Sequence, residues 1–123
     1  MGRVNHFEMP VDDPDRAEKF YAEVFGWKFQ RFDGAPAYYG MATTGDDSKD
    51  GINGALFARS PGNDTSVTIE VDEIETATAA IVEKGGKVHQ GKTPIPGMGY
   101  FATCEDTEGN RFGLFTNDES ATG

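Results

Sequence analysis

One cysteine, two leucines, two histidines and eleven basic residues stand in a chain of 123. Each scarcity excludes something. A lone Cys104 permits no intrachain disulfide, so a reducing compartment and a buried, inert thiol are expected. Eleven Lys and Arg against twenty-one Asp and Glu give a net charge of −10, which argues against nucleic acid and anionic membrane surfaces as partners. No apolar run approaches the length of a membrane span, and a cytoplasmic location is expected. Val, Ile, Leu and Phe together supply only 23 residues, a content at which disorder has to be weighed. Nine Phe, one Trp and ordered apolar periodicity point instead to a folded domain with a small aromatic core.

What is present is a repeat. Val11–Gln30 returns sixty residues later, without a gap, as Val71–Gln90. Val11/Val71, Asp12/Asp72, Ala17/Ala77, Glu23/Glu83, Gly26/Gly86 and Gln30/Gln90 match, in the order strand end, acidic helix start, helix, glycine stop, new strand. Two copies at so long a period indicate a duplicated supersecondary unit rather than a solenoid.

The first copy reads as strand Val4–Val11, then a helix opened by Asp12-Asp13-Pro14 and closed by Gly26. Ala17, Phe20, Tyr21 and Val24 fall at helical spacing, with Phe20 at the centre of the expected apolar face and Glu18 off it. Strands Trp27–Phe32, Ala37–Thr43 and Ile52–Ala58 follow, with Thr44–Gly51 as a solvated acidic loop. The Asp46-Asp47…Asp50 cluster lacks a full calcium-loop pattern. The second copy gives Ser66–Val71, a helix bearing Ile74, Ala77 and Ile81, and strands Lys87–Lys92, Tyr100–Cys104 and Arg111–Thr116. Thr93–Gly99, TPIPGMG, is expected as a hairpin turn and Asn117–Gly123 as a frayed tail. The reading is α+β: one domain over 1–123, with modules 3–58 and 64–116, each βαβββ. The two modules are expected to form a cup-shaped mixed sheet with helices on its outer face.

Alternation along the first strands separates Phe7, Met9 and Val11 from His6, Glu8 and Pro10, and Val67, Ile69 and Val71 from Ser66, Thr68 and Glu70. The apolar sides belong under the helices. His6, Glu8, Ser66, Thr68 and Glu70 are therefore expected on the cup face, as ligand contacts or, for Glu8, Glu70 and His6, as acid–base groups. A solvated face or a polar dimer surface is the plainer alternative. His89 aligns with Phe29 and reads as a structural or surface residue.

HFEMPVDDPDRAEKFYAEVFGWKF near the start and ATCEDTEGNRFGLF near the end resemble the vicinal-oxygen-chelate superfamily, which includes glyoxalase I, bleomycin-resistance proteins and extradiol dioxygenases. The resemblance spans roughly Arg3 to Thr116. It implies paired βαβββ modules, frequently assembled as homodimers, and specifies fold far better than reaction. The superfamily's metal enzymes often use His, His and Glu. The first of these positions falls on His6, the second on Ser66 and the third on Gly113, while a fourth falls near Gly54-Ala55. Only His6 is a ligand. The expectation is thus a metal-free protein without cofactor that binds a small organic molecule in the cup through His6, Glu8, Ser66, Thr68, Glu70 and Gly113. Its alternatives are an enzyme of lyase or dioxygenase type, using a divalent metal through His6 or a Glu/His acid–base pair, and an interaction module using the polar face. The strand aromatics Trp27, Phe29, Tyr38 and Tyr39 are expected to anchor a homodimer.

Overall fold

The computed structural model describes residues 2–122. Eight strands and two helices follow the order β1 (Arg3–Val11), α1 (Pro14–Phe25), β2 (Lys28–Arg31), β3 (Tyr39–Thr43), β4 (Asn53–Ala58), β5 (Ser66–Glu70), α2 (Ile74–Glu83), β6 (Lys87–Ile95), β7 (Gly99–Glu105), β8 (Arg111–Asn117). The fold is α+β, and βαβββ occurs twice. Contacts divide the chain into two compact units: His6–Thr65, and Ser66 onward together with the residues up to Asn5.

In the first unit the strand order is β2-β3-β4-β1, with β4 parallel to β1 and the other pairings antiparallel. Asp13 caps α1, its Oδ1 accepting from Arg16 N at 3.1 Å, and Pro14 opens the first turn. Gly26 closes the helix at φ +76°, its N–H donating to Ala22 O at 2.9 Å. Met9 lies beneath Tyr21, whose hydroxyl donates to its Sδ at 3.8 Å, and Phe7 meets Trp27 at 5.6 Å. These contacts turn the apolar side of β1 toward the helix, as its alternation requires.

The inward face of α1 differs from the sequence expectation. Ala17, Glu18 and Tyr21 are half-buried, whereas Phe20 is 55% exposed and Val24 56%. The face is rotated because Tyr21 stacks on Trp27, ring centroids 4.7 Å apart, and because Glu18 has hydrogen-bond partners on the sheet. Glu18 Oε2 accepts from Tyr38 Oη at 2.6 Å and Arg31 Nε at 3.2 Å, and Arg31 stacks over the Tyr38 ring. Gly40 makes this possible, since a Cβ there would stand 2.2 Å from the Tyr38 hydroxyl.

The second unit has the order β5-β8-β7-β6, with β5 and β8 parallel. Its core is Ile74, Ala102, Cys104 and Leu114, with Ile69, Val71, Ala77 and Ile81 packed against it. The expected face of α2 is the buried one. Cys104 is a fully buried small hydrophobe, and desolvation raises its thiol pKa. Two boundaries shift. β6 continues through Thr93-Pro94-Ile95, so the hairpin turn shrinks to Pro96–Met98, with Gly97 at φ +77°. The tail is not frayed through its described residues: Ala121 is buried, and its carbonyl accepts from Gly97 N at 3.0 Å. The turn thus has a backbone partner that its composition does not announce. Among the described residues no helix is long and apolar enough to cross a membrane.

Ile74→Ala is expected to cost about 2–5 kcal/mol, as a fully buried aliphatic side chain. Phe20→Ala should cost about 1 kcal/mol or less, its ring being more than half exposed. Glu18→Ala should cost about 1–3 kcal/mol through the hydrogen bonds it strands. Urea melts at protein concentrations low enough to keep the chain monomeric measure all three, and equal losses at Phe20 and Ile74 would contradict this packing.

Candidate functional site

The polar side of β1 is joined by a residue that alternation does not single out. His6 Nε2 lies 3.3 Å from Glu8 Oε2 and 3.2 Å from Tyr39 Oη, and the Tyr39 hydroxyl donates to Glu8 Oε2 at 2.5 Å. All three side chains are half-buried. Strand order explains how they meet. Tyr39 sits on β3, Glu8 on β1, and β4 runs between them, with Ala55 opposite Glu8. The β4 partner of Tyr39 is Phe57, and Ala55, which opposes Glu8, offers only a methyl group, so the tyrosine reaches Glu8 diagonally across β4. Phe32 meets the Tyr39 ring edge-on at 6.5 Å and fixes its direction. Nothing in the spacing of Tyr39 reveals this contact, because it depends on β4 inserting between β3 and β1.

Burial is the main cause that drives the Tyr39 phenol well above its ordinary range, with the Glu8 carboxylate and the hydrogen bond to it adding to the effect. Tyr39 is therefore a fixed donor. Glu8 accepts through Oε2, and an imidazole N–H on His6 Nε2 can share that acceptor. The arrangement can accept a hydrogen bond from a ligand, or move a proton through Glu8 or His6.

The remaining expected residues lie on the second unit. Glu70 Oε1 accepts from Asn5 Nδ2 at 3.2 Å, and Asn117 Nδ2 donates to Oε2. Thr68 pairs with Gly113 across β5 and β8, its Oγ1 over the glycine. Ser66 is half-exposed at the start of β5. His89 is a surface residue paired with Glu105 at 2.7 Å. The acidic loop is held by its own contacts: Asp46 Oδ1 accepts from Ser48 N, and Thr44 N donates to Asn53 Oδ1. Its side chains Asp46, Asp47 and Asp50 line a shallow polar recess.

A metal of the kind the scaffold implies does not fit these donors. Glu8 opposes Ala55 in β1/β4 as Thr68 opposes Gly113 in β5/β8, so the two modules place Ala55 and Gly113 at equivalent positions. Ala55 is fully buried, and a Cβ on its neighbour Gly54 would stand 2.4 Å from the Phe7 carbonyl oxygen. A Cβ on Gly113 would already press on Thr68 Oγ1 at 3.1 Å. Neither strand position has a donor or ready space for one. Among the described residues no three His, Cys, Asp or Glu side chains group as a metal site requires.

Residues 3–114 match the family model of the Glyoxalase/Bleomycin resistance protein/Dioxygenase superfamily. The chain belongs to this superfamily. A glyoxylase-like domain-containing protein of Didymella fabae is 31% identical over 124 residues, covering 94% of both chains. Among solved structures, a hypothetical protein of Bacillus halodurans C-125 superposes with a TM-score of 0.73 at 16% identity, over 99% of each chain. Methylmalonyl-CoA epimerase of Mycobacterium tuberculosis superposes with a TM-score of 0.68 at 12% identity, over 94% of this chain and 87% of that one. At such identities these structures share the superfamily fold and nothing finer.

The raised Tyr39 pKa has a testable sign. Below pH 10, the ordinary tyrosine value, folded and unfolded chains both hold the phenolic proton, and the native preference for it is fully expressed. Above that value the unfolded chain ionises first, so stability falls as pH rises. Urea melts between pH 9 and about 11 should show this decline. Tyr39→Phe should make it shallower, and an equally steep decline in the variant would count against the assignment.

Proposed function

We propose that this superfamily member binds a small organic molecule without a resident metal, using His6, Glu8 and Tyr39 as the polar anchor. The hydrogen-bonded cluster of these three residues on the helix-free side of β1 carries the reading. A carboxylate and an imidazole from β1 and a neutral phenol from β3 are the kind of convergent polar groups that orient a ligand. The carboxylate selects for a ligand with a hydrogen-bond donor, such as an amine, amide or hydroxyl. Ser66, Thr68 and Gly113 form a separate, uncharged polar stretch of the second module, and Glu70 is engaged by two asparagine amides. A cytoplasmic site of action fits the single buried thiol, and the acidic surface favours neither nucleic acid nor membrane as partner. We also read the working form as a homodimer.

A metabolite library screened by thermal shift is expected to give stabilising ligands by mass action. Glu8→Gln and Tyr39→Phe should each weaken the best of them about tenfold, a loss typical of a hydrogen bond to a charged group. Affinity unchanged in both variants would remove the cluster from the ligand site. Reconstitution with zinc, nickel and iron(II), followed by desalting and elemental analysis, should leave no stoichiometric metal. One equivalent held by the wild type and lost in His6→Ala would overturn the metal-free reading.

Proton transfer is the second reading, favoured by the 3.3 Å approach of His6 to Glu8 beside a fixed phenolic donor. Several structural neighbours are methylmalonyl-CoA epimerases, so inversion at a carbon is the first reaction to try. A bound ligand that exchanges a carbon-bound hydrogen with D2O, and ceases to in Glu8→Gln, would select this reading over simple binding.

A further inference from the structure

The exposed side of α1 carries three large apolar side chains among its charged ones. Phe20 is 55% exposed, Val24 56% and Phe25 61%. Their rings continue into one another, Phe20 to Tyr21 at 5.1 Å, Tyr21 to Phe25 at 6.3 Å and Phe25 to Trp27 at 6.0 Å. The duplicated module supplies an internal control. Sixty residues on, the matching positions of the second copy are Ala80, Lys84 and Gly85, all exposed. The same place in the same supersecondary unit is therefore compatible with small and charged residues. Large apolar side chains at that place in α1 are a feature of α1 alone, and contiguous exposed apolar surface marks a docking site.

Charge indicates what docks there. Around Phe20 the exposed face carries two basic residues on its N-terminal side, Arg16 one turn before and Lys19 adjacent, and Glu23 almost one turn after it. The Arg16 guanidinium has no carboxylate partner within the described residues, and Glu23 has only the long exposed contact of 3.9 Å to Lys19. A helix that is basic, then apolar, then acidic along one stripe is self-complementary when run antiparallel to a copy of itself. A two-fold axis near Phe20 sets Phe20 against Phe20 and brings each Arg16 beside the other copy's Glu23. For a chain of net charge −10, this also places opposite charges at the one surface where two acidic copies would meet.

We propose that the exposed face of α1, centred on Phe20 and Val24 and flanked by Arg16 and Glu23, is the surface on which a second copy of this chain docks. The proposal rests on the homodimer reading above and supplies its location. It moves the interface away from Trp27, Phe29, Tyr38 and Tyr39, which are half-buried. Tyr38 and Tyr39 in particular spend their hydroxyls on Glu18 and Glu8.

Sedimentation velocity on the full chain tests both readings separately. Wild type is expected to sediment as a dimer in the micromolar range. Val24→Asp and Arg16→Glu should each raise the dissociation constant at least about tenfold, as expected for a charge left unpaired at an interface, with circular dichroism unchanged because both positions are solvent-facing. The double variant Arg16→Glu/Glu23→Arg should restore dimerisation, which a loss of folding could not do. A monomeric wild type would overturn the homodimer reading and this surface together. A dimer that survives Val24→Asp and Arg16→Glu would overturn the surface alone, and failure of the double variant to recover would remove the antiparallel pairing.

Discussion

The first module depends on how β1 is held. Phe7 against Trp27 and Met9 under Tyr21 fix one side of the strand to the helix. A strand has only two sides, so His6 and Glu8 must emerge on the other. A slip of one residue would put a histidine and a carboxylate beneath α1 and two apolar side chains in the polar cluster. The cost of burying that carboxylate unpaired is several kcal/mol. The register that seats Phe7 and Met9 against the helix side is therefore the register that gathers His6 and Glu8 on the other face.

A second pairing follows from the same rule. Tyr38 and Tyr39 are consecutive where the chain enters β3, and they leave its two faces to reach two different carboxylates. Tyr38 donates to Glu18 on the helix side and Tyr39 to Glu8 on the opposite side. Each phenol is raised above its ordinary range, chiefly by burial. Neither is a proton source at neutral pH; both act as rigid donors. At Glu18 the carboxylate also receives Arg31, which makes that end an anchor between helix and sheet. At Glu8 the second partner is His6, whose Nε2 lies 3.3 Å from the same Oε2. One geometry is thus repeated on two faces, with arginine as its third member on the helix side and histidine on the other.

The modular plan was legible in the residues because the order of features recurs: Asp13 and Pro14 open α1 and Gly26 closes it, while α2 starts after Glu73 without a side-chain cap and ends before Gly85-Gly86. The alternation that placed His6 and Glu8 on one side of β1 was legible for the same reason. Tyr39 was not, since its reach to Glu8 depends on β4 standing between β3 and β1 with alanine at position 55. The rotation of α1 was also hidden. Apolar periodicity alone puts Phe20 inward, but the half-buried Glu18 with its two partners takes the place on the inner face that a hydrophobic residue was expected to fill. The ordered tail is a similar case, because the backbone bond from Gly97 to Ala121 joins segments whose compositions say turn and tail.

The two modules differ in what they place at matched positions and in what they bury. At the matched positions of β1 and β5, His6 stands against Ser66 and Glu8 against Thr68, while Pro10 stands against Glu70. The second copy has the larger aliphatic core, with Ile74, Cys104 and Leu114 buried around α2, whereas the first buries Leu56 among alanines and glycines. A core of small residues supports less burial energy per strand. The first module compensates with polar ties between helix and sheet, such as Glu18 to Tyr38 and Arg31. It also leaves Phe20, Val24 and Phe25 outside. Apolar side chains that its own thin core does not absorb are then available for contact with another surface. A small core, half-buried carboxylates and large apolar side chains exposed on α1 set the first module apart, and the proposed site and interface are both drawn from these features.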